Sequence, residues 1–365
     1  MNPTLKKYFL LVLFFFYGLY CVYATTMNDL HINFWLKSLI PIVLGGILCH
    51  FIQKADQNMI RLTGSIVAMV CFLLIFLGVF SASQDSRDFL QALSIEVLPG
   101  IDLQLAVFAQ PFILILITTI LTWGTDGRES LLKKRRLVAA IFTTIWLLMI
   151  AWSSDPGAFA IYLILFATLF YTHGFSYKSL IPLNILYILL PVIAQKLFKQ
   201  QFFSLIENNT IYLEAIQRGG LTGIQGVPRL PELSLFSNDY AIFASVAEQG
   251  GLVSLLPLLA ALAWLCTHLM KTILAAKTPT DMMLISGAGV LIIIQAILHI
   301  FTCIAIIPQI GIYLPCINYS ASSILGTWIL LGIFLRDPEQ LPERLKLEAD
   351  QDFSKNKEED YEDLP

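Results

Sequence analysis

Two carboxylates stand at the edge of an apolar run. In FSNDYAIFASVAEQGG (236–251), Asp239 lies where polar loop gives way to hydrocarbon-like sequence, and Glu248 follows nine residues later. An ionisable group beside lipid is costly and marks a functional candidate. Burial there would raise the pKa of Asp239 and make it a stronger base while it stays ionised. Just upstream, RGGLTGIQGVPRLPE (218–232) holds four glycines and two prolines, the composition of successive turns and not of a regular helix. It carries Arg218, Arg229 and Glu232. Guanidinium forks and bare backbone N–H groups suit a diphosphate, although an irregular connector would have the same composition. A second polar cluster follows a turn flanked by Pro308 and Pro315: Asn318, Tyr319, Ser320, Ser322 and Ser323, four hydroxyls and an amide within six residues. These suit a pocket wall, or packing between helices. Asp155 occupies the short turn SSDPGAF (153–159), an ordinary turn sequence. His299 lies in mid-span, where a hydrogen-bonded core histidine is the commoner reading than a proton carrier.

The elements that must position these residues are membrane helices. Of 365 residues, 57% are hydrophobic and 13% charged, with mean hydropathy +0.73, too little polar surface for a soluble domain. A spanning helix needs about 20 mostly apolar residues. Ten stretches qualify, at 8–25, 34–52, 62–82, 104–123, 137–152, 158–172, 180–197, 240–270, 282–306 and 317–335. The stretch 158–172 is short, and 240–270 is long enough to begin as a half-buried segment. Backbone satisfaction in lipid makes these helices. Lys6 and Lys7 precede a run that reads as a retained first span, without the small residues of a cleavage site. Lys54, Arg61, RESLLKKRR (128–136), Lys178, Lys271, Lys277 and Arg336 all fall on the side of Lys6 and Lys7. That side is therefore the cytoplasm, with both termini on it. The expected class is an all-α polytopic membrane protein of about ten transmembrane helices, with a large outside loop (198–239) between spans seven and eight.

The net charge of −3 divides unevenly. The tail from Arg336 carries 11 of the 26 acids and 5 of the 23 basic residues, leaving 18 basic against 15 acidic in the remainder. Residues 1–336 read as one membrane domain and 337–365 as an acidic, disordered cytoplasmic tail. The six cysteines lie within or at the ends of spans, show no metal-ligand spacing, and read as small core residues.

The order of these motifs resembles the SEDS family, the FtsW/RodA/SpoVE group of ten-span peptidoglycan glycosyltransferases. The family's long outside loop reads about G-G-L-x-G-x-G, L-P-E, H-T-D-F-I-F-A and E-E-x-G. Its counterparts here are Gly219-Gly220-Leu221-Thr222-Gly223-Ile224-Gln225-Gly226, Leu230-Pro231-Glu232 and SNDYAIFASVAEQGG. The family's last outside turn aligns without a gap from Gln295 to Ser323, through Pro308, Gly311, Leu314, Pro315, Tyr319, Ser322 and Ser323. Gln110-Pro111 and Asp155-Pro156-Gly157 echo two earlier motifs faintly. There are departures. Ile113 and Leu116 stand where the family has glutamate and lysine, and His299 where it has asparagine. Ser320 and Ala321 replace two glycines. Counting back from IFASVAE puts Tyr240 at the family's essential aspartate, with Asp239 one residue early.

The resemblance implies a lipid II polymerase at the outer face of the bacterial cytoplasmic membrane, serving cell elongation or division. It implies Asp239 as base (with Tyr240 the alternative holder of that position), and Arg218 and Arg229 at the diphosphate, with or without a divalent cation. Gly219, Gly220 and Gly223 would let the loop lie close to substrate, and Glu232 would bind it. Pro315, Tyr319, Ser322 and Ser323 would line the cavity, and Asp155, Glu248 and His299 would support it. The implied partners are a class B penicillin-binding transpeptidase and other elongation or division proteins, with no nucleic acid. Two other readings remain: a SEDS-like scaffold without catalysis, and a flippase, O-antigen-type polymerase or ligase of lipid-linked oligosaccharide.

Overall fold

The computed structural model describes residues 18, 32–81, 94–98, 101–123, 129–153, 155–198, 210–224, 240–276 and 278–336. Of the first expected span only residue 18 is described, and the acidic tail falls outside these residues. Each of the other nine expected stretches falls on apolar helix. These are α1 (Ile32–Lys54), α2 (Gln57–Ser81), α3 and α4 (Leu105–Phe108 and Gln110–Thr122), α5 (Glu129–Trp152), α6 (Pro156–Thr172) and α7 (Tyr177–Phe198). After α8 (Thr210–Gly219) and α9 (Ile242–Gly250) come α10 (Leu256–Ala275), α11 (Pro279–Cys303) and α12 (Ala321–Phe334). Among the described residues, five helices are long and apolar enough to cross a membrane, and four shorter apolar helices accompany them.

The pattern of burial is that of a bundle in lipid. On α2, Ile60, Ala68, Cys71, Ile75 and Val79 are buried at helical spacing, while Leu62, Ile66, Met69, Leu73 and Leu77 face outward. Both stripes are apolar, so the outward one needs hydrocarbon as its solvent. The protein is a multi-pass membrane protein. Close helix packing uses small residues: a Cβ on Gly45 of α1 would collide with Trp328 of α12, and one on Gly64 of α2 with Ile115 of α4. α11 lies at the centre, against α4, α6, α10 and α12.

Helix starts follow from sequence. Asp155 accepts a hydrogen bond from the Ala158 N–H with Pro156 in the first turn of α6, and Thr278 caps α11 through the Asp281 N–H. Ser320 caps α12 through the Ser323 N–H. Each side chain meets an N–H the helix leaves unpaired.

Three features depart from the expectation. The segment before α3, expected as a connection in an all-α chain, holds strands: Ser94–Leu98 (β1) and Ile101–Gln104 (β2) form an antiparallel hairpin, with Ser94 opposite Gln104 and Glu96 opposite Asp102. The alternation in SIEVL and IDLQ, with Pro-Gly between them, is hairpin sequence. The segment expected as an outside loop contains α8, whose amphipathic pattern hides Tyr212 and Ala215. The eighth span is broken. Gly251, at φ +69°, ends α9; a short 3-10 turn, Leu252–Leu255, leads into α10. Only glycine adopts that backbone freely, so the apolar run could not continue as one helix.

Basic residues gather at one end of the bundle. Arg61 donates to Thr280 (2.6 Å) and Gln57 to Asp281 (3.1 Å), joining the α1–α2 turn to the start of α11. Arg136 donates to the carbonyls of His173 and Gly174 at the end of α6 (3.3 Å each) and lies 5.1 Å over the Phe175 ring. Burial, with this cation beside it, lowers the pKa of His173. The opposite end of the bundle carries the candidate site.

Candidate functional site

The turn between α11 and α12 is built by polar side chains that reach back to its own backbone. Asn318 is fully buried, and its amide donates to the Leu314 carbonyl (2.6 Å) and to Ser323 Oγ (3.0 Å). Its carbonyl accepts from the Ser320 N–H (2.9 Å). The Pro315 ring is buried, Cys316 is held at φ +62°, and Tyr319 packs on the core. His299 Nδ1 pairs with the Ile312 carbonyl at 2.8 Å and its Nε2 with Cys303 Sγ at 3.6 Å. That is a core histidine tying α11 to the turn. Ser322 and Ser323 are buried too: Ser323 serves Asn318, and Ser322 Oγ accepts the Gln104 N–H at 2.6 Å, fastening the hairpin to α12. The serine patch therefore does structural work before any lining role.

A second unit joins α8, the following turn and α9. Arg218 pairs with Glu248 at 3.0 Å, the carboxylate fully buried and the guanidinium side chain 29% exposed. The backbone adds bonds from Ile224 N–H to the Glu248 carbonyl (3.0 Å) and from Leu252 N–H to the Gly220 carbonyl (3.0 Å). A Cβ on Gly219 would overlap the Ala247 carbonyl, and one on Gly223, at φ +87°, the Gln249 carbonyl. These two glycines admit the backbone of α9. Around Gly220 there is open space instead. Glu248 is thus the ion-pair anchor of the 218–224 turn. Asp239, Arg229 and Glu232 lie outside the described residues.

A third set converges on the hairpin end. Gln104 Nε2 donates to Asp155 Oδ2 (3.2 Å), and Tyr313 donates to Gln104 Oε1 (2.9 Å). The Tyr313 hydroxyl is 3.1 Å from that of Tyr240, with ring centroids 4.9 Å apart. Gly157 lets the first turn of α6 press on the backbone of Ile310 and Gly311. Burial lifts the Asp155 carboxyl to about 6, against the pull of the Ala158 and Gly157 N–H groups. Gln104 and Tyr313 carry this convergence, and sequence reasoning missed both. The strand alternation of IDLQ was the one available signal for Gln104, and Tyr313 had none.

Deeper in, Ile113 and Leu116 are buried apolar residues. The polar bridge between α4 and α11 is instead an amide pair, Gln295 Nε2 to Gln110 Oε1 at 2.6 Å. The described cysteines are free, and Cys316, outside the spans, is pushed up by burial. Among the described residues no group of three His, Cys, Asp or Glu is placed to hold a metal.

The FtsW/RodA/SpoVE family, described as cell cycle proteins, matches residues 3–340. The chain belongs to that family. Two relatives carry the name "Probable peptidoglycan glycosyltransferase FtsW". The one from Enterococcus hirae is 28% identical over 162 residues, 41% of this chain and 39% of that protein. The one from Caulobacter vibrioides is 26% identical over 253 residues, 65% of this chain and 63% of that protein. The chain thus matches less than two thirds of the length of either relative. The rod shape determining protein RodA of Thermus thermophilus has the same fold, with a TM-score of 0.65 at 17% identity, covering 90% of this chain and 94% of that one. A chain from a peptidoglycan synthase complex that coordinates polymerisation and crosslinking gives 0.69 at 18%, covering 92% and 98%. At these identities the likeness is one of fold.

Proposed function

We propose that this SEDS-family protein is a glycosyltransferase that polymerises lipid II at the outer face of the bacterial cytoplasmic membrane. The observation that carries the reading is the meeting, at the end opposite the basic residues, of Tyr240, which follows Asp239 in the chain, with Asp155 and the Ser322 end of α12. The acceptor's sugar 4-hydroxyl attacks the anomeric carbon of the donor unit. The new glycosidic bond forms as the bond to undecaprenyl diphosphate breaks. Asp239 is the base that takes the hydroxyl proton, a role that the reaction needs where sugars meet the membrane surface while their lipid tails stay in hydrocarbon. Positive charge must meet the leaving diphosphate. Arg229 is the first candidate, because Arg218 already serves Glu248. Glu232 and Gly220 belong to the same turn-rich sequence, and Pro315, Tyr319 and Ser323 hold the turn between α11 and α12 in place.

The partner is a class B penicillin-binding transpeptidase, by analogy with the synthase complex of similar fold. The test is polymerisation of lipid II by the purified chain with its cognate transpeptidase, in which Asp239→Ala abolishes product. Polymer that survives Asp239→Ala but not Tyr240→Phe would move the base to position 240. A second reading, a wall-synthesis scaffold without catalysis, is favoured by one observation: Ile113 and Leu116, at the positions of the family's glutamate and lysine, are buried and apolar, and the polar bridge between α4 and α11 is the neutral amide pair of Gln110 and Gln295. Absence of polymer with every transpeptidase, with Asp239→Ala still complementing in cells, would establish it.

A further inference from the structure

Helices α4 and α6 finish at the basic end of the bundle, and arginines of α5 hold both ends. Arg135 donates to the Ile120 carbonyl in the last turn of α4 (3.4 Å). Arg136 donates to the His173 and Gly174 carbonyls just past α6 (3.3 Å each), with the Phe175 ring 5.1 Å from it. Carbonyls at helix ends satisfy the N–H groups of a guanidinium, but they leave its net charge uncancelled. Lys133 and Lys134 of α5 and Lys178 in the first turn of α7 are exposed. Between positions 130 and 198 the sequence holds one acid, Asp155, and it caps the far end of α6. Among the described residues none of these five cations forms an ion pair.

A solvated face could carry the same charges, but this one borders hydrocarbon. Positions 133, 136, 137 and 141 share one side of α5, since neighbours on a helix lie three and four residues apart. On that side Lys133 is followed at once by exposed Leu137 and Ile141, which need lipid tails as solvent. Trp123, Tyr171 and Tyr177, at the end of α4, the end of α6 and the start of α7, are exposed at the same end. Amphipathic rings of this kind collect at the headgroup layer of a bilayer, and the Tyr171 and Tyr177 centroids are 6.4 Å apart. We propose that Lys133, Arg136 and Lys178 form a binding site for the headgroup of an anionic phospholipid. The two ammonium groups meet the headgroup phosphate as point charges, and Arg136 adds a guanidinium. The acyl chains lie along Leu137 and Ile141. Because Arg136 is already tied to the end of α6, a lipid joins α5 to α7 without first ordering a loose arginine.

The test offers the full chain, in detergent, equal amounts of phosphatidylglycerol and phosphatidylcholine with identical acyl chains, and counts the retained lipids by native mass spectrometry. The parent should retain the anionic lipid in preference. One cation beside an anionic headgroup is worth about a fivefold preference. Lys133→Gln and Lys178→Gln should therefore each lower the ratio about fivefold, and the double variant about 25-fold. Both lysines are exposed, so the thermal midpoint without added lipid should stay at the parent value. Lys271→Gln removes the same charge from an exposed position on α10, which packs on α11, and should leave the ratio unchanged. An equal loss in Lys271→Gln would mean that net charge alone selects the lipid, and overturns the site. A parent without preference overturns it as well. Displacement of the lipid by millimolar inorganic phosphate would make this a site for free anions and overturn the assignment to lipid. No step of polymerisation enters the test, so its failure leaves the glycosyltransferase reading untouched.

Discussion

Replacing Arg218 by alanine strips the buried Glu248 of its counter-charge. The carboxylate is fully buried, and the guanidinium is 29% exposed and 3.0 Å away. Removing one partner of a buried pair costs about 3–5 kcal/mol, because the remaining charge has neither water nor its partner. The partial exposure of Arg218 argues for the lower end, about 3 kcal/mol. The reverse change is milder. Glu248→Gln keeps shape and an acceptor, and Arg218 can turn toward water, so about 1 kcal/mol is expected. The double variant Arg218→Met/Glu248→Gln should lose less than the sum of the two, since no charge is stranded. The midpoint of thermal unfolding in detergent, read by intrinsic fluorescence, should fall by about 5–10 °C for Arg218→Ala, and by a third of that or less for Glu248→Gln. Equal losses, or strict additivity in the double variant, would refute the claim that this pair docks the 218–224 turn on α9.

Three further outcomes follow from named contacts. Gly223→Ala places a methyl against the Gln249 carbonyl at φ +87°, and should cost at least about 2 kcal/mol from strain and overlap together; the same thermal assay reads it. Gln295→Leu strands the buried Gln110 amide and should destabilise by about 1–2 kcal/mol, whereas Gln110→Leu with Gln295→Leu should recover most of that loss. Asp155 has its folded pKa raised from 3.8 to about 6 by burial. The fold therefore prefers the protonated acid: its contribution is full below about pH 4 and is lost as pH rises through 6. Asp155→Asn, which can still cap α6, should close a gap with the parent that grows between pH 4 and 7 to on the order of 2–3 kcal/mol, measured as thermal midpoints across that range.

The bundle was legible because its signals are local. An apolar run must satisfy its own backbone in lipid, so α1, α2, α5, α6, α7, α11 and α12 follow from composition, and Asp155, Thr278 and Ser320 mark starts through neighbours three residues away. The order of motifs from Gln295 to Ser323 likewise carries the family in one dimension. The failures have a common cause. The run 240–270 reads as one greasy segment, and its break at Gly251 depends on a positive φ that hydropathy does not register. Glu248 has the same sequence appearance as catalyst or anchor. Its meeting with Arg218, thirty residues upstream, makes it an anchor.

The sequence by itself determined what lies in lipid and to which family the chain belongs, since both rest on residue type and order. Only the tertiary structure decided which polar groups share a site. Gln104, Asp155, Tyr240 and Tyr313 are dispersed along more than half the chain. A hydrogen bond depends on positions fixed by the packing of α6, α9 and the hairpin around α11 and its turn, and no spacing along the chain encodes that distance.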